Sequence, residues 1–262
     1  MAAVGERQIS YDARGLAEPN AEVPKVSEVD GAKAVFDASD LTTRQINLEL
    51  RSLLYEQGVT DVTVKNPGSK HSIGVGILTR CKITFEGSLG YFGCGLIDGP
   101  EIHITGRVGW SACENMMSGV VVIEGNAGSL TGAALRGGDL VVKGRVGARS
   151  GIDQKGGTII TLGSAGSMNG FMMQRGRQVI CGDVGPGLGD SMYDGIMYVG
   201  GRVKSLGIDC VEGEWTDADT EFIERKFRIY DLGSPPEFQK FVCGKKLYNY
   251  DNLEPSERKL VL

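Results

Sequence analysis

The amino-acid sequence predicts an all-β fold, a right-handed single-stranded β-helix (β-solenoid) built from 19-residue coils. Three observations support this prediction. Cut at Lys82, the chain reads as six consecutive units of nineteen residues, and the pattern continues to Val203 without insertion or deletion. The sixth position of every unit is glycine, and each unit opens with a short aliphatic run such as VVVI at 120–123. A unit of this length cannot bury its apolar side alone, so several must stack.

Within each unit, glycines are expected to mark the corners of the coil. A strand ends at the sixth-position glycine, where φ > 0 turns the chain, and a small apolar residue at the eighth position then points inward. The ninth-position glycine turns the chain again. Equivalent residues of successive coils would lie about 4.8 Å apart. The sixth-position residues are Gly87, Gly106, Gly125, Gly144, Gly163, Gly182 and Gly201, and the ninth-position ones are Gly90, Gly109, Gly128, Gly147, Gly166 and Gly185.

Other glycine-rich architectures fit the spacing less well. Collagen requires glycine at every third residue, whereas this chain has it at irregular intervals within each unit. A β-propeller blade is about twice as long as the unit. The handedness of the coil is expected from the right-handed connection of parallel strands.

The segment before the repeat divides into an extended arm and a helix. Residues 1–35 are polar, include Pro19 and Pro24, and are predicted to be an extended N-terminal arm. Residues 36–58 are predicted to form a capping helix, in which Thr42 and Gln45 make a capping box. Its apolar residues, which would close the open end of the solenoid, are Ile46, Leu50, Leu53 and Leu54.

The β-helix itself is placed at residues 59–207, with a degenerate first coil and a regular repeat from Lys82. Residues 208–262 are predicted to form a second capping helix and an extended tail. Thr216 and Asp219 form its capping pair, and its apolar face consists of Phe222, Ile223 and Phe227. The tail, from Gly233 onward, is rich in aromatic residues without helical or strand periodicity. We expect the arm and the tail to wrap around partner subunits.

Composition limits the classes of function. The net charge is −5 and the pI is about 5.2, which argues against nucleic-acid binding. No apolar run approaches twenty residues, and the first residues lack an apolar signal core, so a cytoplasmic location is expected. Reduced buried thiols are expected rather than disulfides. The six cysteines are Cys81, Cys94, Cys113, Cys181, Cys210 and Cys243.

Histidines and cysteines are the residues most often used for catalysis or metal binding, and they are few here. The histidines are His71 and His103. His103 shares the third position of the unit with Val122, Val141, Ile160 and Val179 of other coils, which favours a packed wall histidine over a ligand or base. Cys94 and Cys113 share the thirteenth position of consecutive coils, where other coils have glycine. They therefore fit a tight corner better than a zinc site.

Known catalytic motifs are also missing from the sequence. It contains no GxSxG elbow and no GxxxxGK[ST] loop, and the repeat already explains the glycines of GDVGPGLGD. Asp190 and Asp194 fit solvated positions better than an acid–base pair. A polar stripe at the seventh position is either a solvated edge or a docking surface. It comprises Ser88, Arg107, Asn126, Arg145, Ser164, Asp183 and Arg202. We expect no catalytic, cofactor-binding or metal-binding residue in this chain.

The GSLG, GRVG, GNAG, GRVG, GSAG and GDVG corners, at 87, 106, 125, 144, 163 and 182, resemble those of the GXGXG-type domain. That domain is the C-terminal β-helix of the large subunit of glutamate synthase. It also occurs as a free-standing chain in split glutamate-synthase-like enzymes and in one of the chains of formylmethanofuran dehydrogenases. The flanking helices make the chain most similar to the free-standing β-helix subunits of N-methylglutamate synthases (methylamine–glutamate N-methyltransferases).

The resemblance implies a non-catalytic assembly subunit of a multisubunit enzyme. A glutaminase-like subunit and a subunit with FMN and an iron–sulfur cluster would be its partners in a hetero-oligomer, and this chain itself would hold no cofactor. The alternatives are a scaffold subunit of a formylmethanofuran dehydrogenase-type complex and the split glutamate synthase itself. A stand-alone polysaccharide-cleaving β-helix would need a carboxylate or basic cluster on one face, which is not evident.

Overall fold

The structure, a computed structural model, describes residues 28–30 and 32–245. Most of the predicted N-terminal arm and the last part of the predicted tail therefore lie outside the described residues. The strands are β1 (Glu28–Asp30), β2 (Lys33–Asp37), β3 (Asp61–Lys65), β4 (Lys82–Glu86), β5 (Asp98–Ile104), β6 (Ser118–Ile123), β7 (Asp139–Val142), β8 (Lys155–Thr161), β9 (Arg175–Ile180), β10 (Val184–Leu188), β11 (Ile196–Val199), β12 (Val203–Leu206), β13 (Cys210–Glu212) and β14 (Gln239–Cys243). The helices are α1 (Thr43–Arg51), continued by a π-helical turn (Ser52–Glu56), and α2 (Asp217–Ile229).

The predicted β-solenoid is confirmed. Strands β2 to β9 and then β11 pair in parallel, in chain order, in one sheet. In the regular region paired residues are one unit apart: Val121 pairs with Leu140, and Leu140 pairs with Ile159. A second row of parallel contacts joins the eighth positions of successive coils and ends in the β10–β12 pair. The 19-residue sequence period is thus the length of one coil.

The core runs along the solenoid axis. The residues at the second and fourth positions of each 19-residue unit point inward and are buried, as Ile83 and Phe85 are in β4. At the N-terminal end, Ile46, Leu50 and Leu53 of α1 and its π-helical turn are fully buried in this same cluster. The predicted N-terminal capping helix is therefore present, and it closes the end of the stack. The predicted capping box is also present.

Helix α2 does not cover the C-terminal end of the solenoid, where the sequence predicts a second capping helix. Its Phe222, Ile223 and Phe227 belong to a second cluster on the outer face of the main sheet, apart from the core. The C-terminal end of the stack is instead closed by strands. Strand β14 pairs antiparallel with β11, and β13 pairs antiparallel with β14. Phe241 of β14 is buried in the main core, so part of the predicted tail lies on this chain's own solenoid.

The corner glycines serve a different purpose from the predicted one. Gly87 has φ of 142°, but the remaining sixth-position glycines and all of the ninth-position ones lie outside the left-handed region. They are needed because the backbone of the preceding coil lies directly against them. A Cβ on Gly125 would lie 2.7 Å from the carbonyl oxygen of Gly106. The expectation that these glycines turn the chain through φ > 0 is therefore wrong for most of them.

The left-handed residues lie in the return segment of each coil. Positions eleven, thirteen and fifteen have positive φ, for example 57° at Phe92, 55° at Cys94 and 56° at Leu96. Their N–H groups donate alternately to the following and the preceding coil, as the Phe92 N–H does to the Trp110 carbonyl and the Cys94 N–H to the Ile73 carbonyl. These inter-coil hydrogen bonds hold non-glycine residues in a conformation that is costly elsewhere.

All six cysteines are free thiols; four are buried as predicted, whereas Cys181 and Cys243 are only partly buried. Cys94 and Cys113 are fully buried in the core. Burial raises the pKa of Cys94 to about 12 and raises that of Cys113 well above its usual value. Both are therefore neutral thiols that pack as small apolar side chains.

Candidate docking face

The outer face of the main sheet is partly covered by helix α2. The residue at the third position of each 19-residue unit points outward, and in the C-terminal coils these residues are buried beneath the helix. They are Val141, Ile160, Val179 and Tyr198. The same column continues over the N-terminal coils as Thr63, Thr84, His103 and Val122, which are only partly buried. We call this uncovered part of the sheet, over β3 to β6, the open face.

A buried ionic cluster fixes the N-terminal end of α2. Asp219 accepts hydrogen bonds from the Tyr198 hydroxyl (2.7 Å) and the Lys240 ammonium (2.8 Å), besides forming the capping box with Thr216. Burial alone would raise the pKa of Asp219, but the hydrogen bonds from Lys240, Tyr198 and Thr216 outweigh it and lower the pKa to about 2. The helix start is therefore bound to both β11 and β14.

A second cluster fixes its C-terminal end. Asp139, at the start of β7, accepts from the Lys226 ammonium (2.7 Å to Oδ1) and from the Tyr230 hydroxyl (2.5 Å). Burial and the Asp139 carboxylate raise the pKa of Tyr230 well above its ordinary value, so its hydroxyl remains a donor. Between the two clusters the Arg177 guanidinium lies 4.3 Å from the centre of the Phe222 ring. The helix is thus a fixed boundary of the open face.

A groove begins where α2 ends. A cavity of about 410 Å³ lies between the end of the helix and strands β4 to β6. Ile229, an exposed residue at the last position of α2, lies at the edge of this cavity. A second cavity of about 580 Å³ continues from it along the starts of strands β2 to β6. The two cavities adjoin, because Lys82, Glu101 and Val120 line both, and together they are called the groove. A groove that mixes apolar and polar side chains and has charged edges can receive another polypeptide or a small ligand.

His103 lies in this groove, which corrects the prediction that it is a packed wall histidine. Its side chain is 44% exposed, and its Nε2 lies 2.8 Å from Glu124 Oε1. Lys143 also contacts Glu124, at 2.9 Å. Burial would raise the pKa of Glu124, but His103 and Lys143 together lower it. Val141, Ile160 and Val179 of the same column are buried because α2 covers them, whereas His103 lies beyond the end of the helix.

The polar stripe at the seventh position forms a ladder between coils. The backbone N–H of Arg145 donates to Asn126 Oδ1 (2.9 Å), and that of Arg202 donates to Asp183 Oδ1 (2.8 Å). The Arg107 N–H donates to Ser88 Oγ in the same way. The short polar side chains therefore bind the following coil, a role that the sequence pattern did not predict. Whether the stripe also docks a partner stays a prediction.

An exposed aromatic stack, which was not predicted from the sequence, lies next to the glycine column. The rings of His71 and Tyr91 are 4.6 Å apart, and those of Tyr91 and Trp110 are 5.5 Å apart, all nearly parallel. His71 Nδ1 also accepts from the Tyr91 N–H at 2.8 Å. Tyr91 and Trp110 share the tenth position of consecutive coils, so the 19-residue period could have revealed the stack.

Replacing Trp110 by alanine should lower the free energy of unfolding by only about 1 kcal/mol, because the ring is 56% exposed and its stacking is a modest interaction. Chemical denaturation monitored by circular dichroism measures this. Ser129→Ala, at the tenth position of the next coil, is the matched control and should change stability by less. A loss above about 3 kcal/mol would be that of a buried aromatic residue and would contradict a surface role for the stack.

The structure brings no other predicted residues together into a chemical site. Asp190 accepts from the Ser191 hydroxyl at 2.7 Å. In the described part of the chain, no group of three or more His, Cys, Asp or Glu side chains is placed to hold a metal ion. None of the helices in the described ranges is both long and apolar enough to span a bilayer.

The fold and the open face together define a β-solenoid protein with an exposed groove beside its own docked helix. No protein-family model matches the chain. Among curated proteins, the chain is similar to Protein GlxC of Rhizobium meliloti (strain 1021), with 39% identity over 66 residues. The match covers 24% of this chain and 29% of that protein, so it spans less than a third of the relative's length.

Proposed function

We propose that this chain is a non-catalytic assembly subunit of a glutamate-synthase-like multisubunit enzyme. The specific enzyme that we propose is N-methylglutamate synthase, which makes N-methyl-L-glutamate and ammonia from methylamine and L-glutamate. A glutaminase-like subunit and a subunit with FMN and an iron–sulfur cluster would be the partners. The observation that carries the proposal is the regular stack of 19-residue, glycine-cornered coils, which resembles the free-standing β-helix subunits of such enzymes.

The outer surface supports an assembly role. A sheet face in a solenoid can be covered by a helix, as α2 covers the C-terminal coils here. Over the N-terminal coils, no helix of the described residues covers the same outward column, and charged residues border it. At the starts of the strands these are Lys33, Asp61, Lys82 and Glu101. Apolar and polar surface in this arrangement suits a partner segment that would continue the cover begun by α2.

The short match to Protein GlxC is compatible with this proposal but adds little to its detail. It covers about a quarter of the chain. It therefore supports a segment in common rather than a common activity. Substrates, cofactors and partners rest on the resemblance of the coil corners and of the flanking helices.

Purification of the tagged chain from its native host tests the proposal directly. We expect a yellow-brown complex that contains a flavoprotein and a glutaminase-like chain and that forms N-methylglutamate from methylamine and glutamate. Molybdenum or tungsten in place of flavin would instead support the formylmethanofuran dehydrogenase-type alternative. Glutamate formation from glutamine and 2-oxoglutarate would support the split glutamate synthase. A colourless protein without companions would contradict the assembly role.

Replacing Thr84 by arginine should weaken subunit association at the open face without destabilising the chain. The side chain points outward between Thr63 and His103, so a long cation would fill the groove. We expect at least about tenfold less flavoprotein recovered with the tagged chain, which corresponds to about 1.4 kcal/mol. The free energy of unfolding should change by less than about 0.5 kcal/mol, as for other surface substitutions.

Ser129→Arg is the matched control for this experiment. Position ten holds Tyr91 and Trp110 in the two preceding coils, so a large side chain is accommodated at this position. This variant should retain its partners. Equal recovery of the flavoprotein with wild type and Thr84→Arg would show that the open face is not the docking surface.

A further inference from the structure

Two cysteines face each other at the C-terminal end of the solenoid. Cys210 begins β13, Cys243 ends β14, and the two are direct partners in the antiparallel register. The neighbouring Gly244 N–H donates to the Asp209 carbonyl at 2.7 Å, which makes the cysteines a non-hydrogen-bonded pair. Such pairs have Cα atoms about 4.5 Å apart with their side chains on one face. That separation lies within the range of disulfides, about 4.4–6.8 Å.

The two thiols have different surroundings. Cys210 is buried against the core, and burial, with a smaller contribution from Cys243, raises its pKa to about 12. Cys243 is partly exposed, and its Sγ accepts the Lys245 backbone N–H at 3.3 Å. The Cys243 thiol in turn donates to the Met192 carbonyl at 3.2 Å. Because Cys243 is the more exposed of the two, a solute that oxidises thiols would react at Cys243, and Cys210 would be the second thiol.

The other facing pair lacks this combination. Cys94 and Cys113 occupy the same position of consecutive coils and are fully buried. An oxidant from solution cannot reach either of them without opening the core. The residues one repeat away from Cys81 and Cys181 include Pro100, Leu162 and Gly200 and no cysteine. Cys210 and Cys243 thus differ from the remaining thiols in having both a facing partner and access to solvent.

We propose that Cys210 and Cys243 are a redox-active pair that hydrogen peroxide converts into a reversible disulfide. The Cys243 sulfur attacks one peroxide oxygen and gives up its proton, the O–O bond breaks, the departing hydroxide takes up a proton, and a sulfenic acid and one water form. The Cys210 sulfur then attacks the Cys243 sulfur and loses its proton, the S–O bond breaks, and a second water leaves. Two thiols lose two electrons in total, and the peroxide is reduced to two waters. A dithiol reverses the reaction by exchange.

The disulfide would close a loop that contains α2. The chain leaves the solenoid after β13, forms α2 on the outer side of the main sheet, and returns as β14. In the reduced protein this excursion is held by noncovalent contacts such as those of Asp219 and Asp139. A bond between its two ends would hold β14 on the stack and restrict release of the helix. The inference is independent of the proposed enzyme, because it uses only the chain's own end.

Peptide mapping of the oxidised full-length chain tests the pair. The reduced protein is treated with an equimolar amount of hydrogen peroxide and digested without reductant. We expect a linked peptide that contains Cys210 and Cys243, a loss of two of the six thiols, and recovery of both with dithiothreitol. A bond between a different pair would overturn the proposal. So would irreversible sulfinic acid at Cys243 with Cys210 still a thiol.

Single variants distinguish the thiol that reacts with peroxide, Cys243, from the second thiol, Cys210. Because several variants are used, a folding defect in one of them does not decide the test. Cys210→Ser should accumulate a sulfenic acid at Cys243 that a dione probe traps, and Cys243→Ser should leave Cys210 unreacted. Cys181→Ser, which removes a partly buried thiol outside the pair, should form the disulfide like the wild type. In the wild type, oxidation should slow tryptic cleavage within α2 by at least about threefold. Equal cleavage rates of the oxidised and reduced proteins would contradict the locking role.

Discussion

Replacing Gly182 by alanine is expected to lower the free energy of unfolding by about 3 kcal/mol, the upper end of the cost of overpacking. Gly182 is the sixth residue of its coil, and the Gly163 backbone lies directly against it. A Cβ at Gly182 would lie 2.7 Å from the carbonyl carbon and oxygen of Gly163 and from the Ser164 nitrogen. These are backbone atoms that hold the preceding coil in register. They cannot move away as the end of a flexible side chain could.

The consequence should extend beyond the substituted residue. The Gly182 N–H donates to the Gly163 carbonyl at 3.1 Å, so a shift that accommodates the methyl group lengthens an inter-coil hydrogen bond. In a stacked array each coil is stabilised mainly by its two neighbours. Amide hydrogen exchange should therefore increase first in the coils on either side of Gly182. Urea denaturation followed by circular dichroism gives the overall loss.

Gly213→Ala is the matched control, because Gly213 also has an ordinary φ but lies outside the glycine columns. A Cβ there would be 3.1 Å from the nearest atom, a side-chain methyl of Val242. That methyl can give way by a few tenths of an ångström, so the change should cost less than about 1 kcal/mol. If both variants were equally stable, close approach of the coils would not be the reason for the glycine columns.

The coil length and the strands were predictable from the sequence because they follow from repetition. Val121, Leu140 and Ile159 occupy one position in successive units, and a register one residue away would move each of them out of the core. The reason for the corner glycines was not predictable from a single unit. It depends on how closely the backbone of one coil approaches the next. The left-handed backbone of Phe92 and Leu96 was not predictable for the same reason, because hydrogen bonds between coils hold these residues in that conformation.

The candidate site was less predictable than the coils because it depends on where α2 packs. The sequence indicates that α2 is amphipathic and predicts that Phe222, Ile223 and Phe227 form its apolar face. Which surface receives that face is a matter of tertiary contact. The helix lies over the outward column of the last coils, so Val141 and Val179 are buried while His103 of the same column remains partly exposed. The sequence does not predict strand β14, because its short sequence has no clear alternation of apolar and polar residues.

Replacing Asp219 by alanine is expected to release α2 from the solenoid. The ion pair of Asp219 with Lys240 is largely buried, with 5% and 11% of the two side chains exposed. Removing one partner of a buried pair leaves the other charge uncompensated, which costs about 3–5 kcal/mol. The Tyr198 hydroxyl and the capping box lose their acceptor as well. Tryptic cleavage at Arg225 and Arg228 should become at least about tenfold faster than in the wild type.

Asp217→Ala is the control, since Asp217 lies in the same first turn but is exposed. It should change stability by less than about 1 kcal/mol through the helix dipole alone. Equal protease resistance of the two variants would show that the Asp219 cluster does not anchor the helix. An Asp219→Asn variant, which keeps the size of the side chain, should resemble Asp219→Ala because the uncompensated Lys240 charge remains.

The contribution of Asp219 should also disappear in acid. Its pKa is about 2 in the folded chain against an ordinary value of 3.8. Because the folded-state pKa is the lower one, the carboxylate stabilises the fold fully above pH 3.8, and this stabilisation is lost as the pH falls towards 2. A shift of this size corresponds to about 2 kcal/mol. The stability difference between wild type and Asp219→Ala should therefore narrow by about that amount between about pH 5 and pH 2. A difference that stays constant over this range would mean that the shape of the side chain, and not its charge, holds α2 in place.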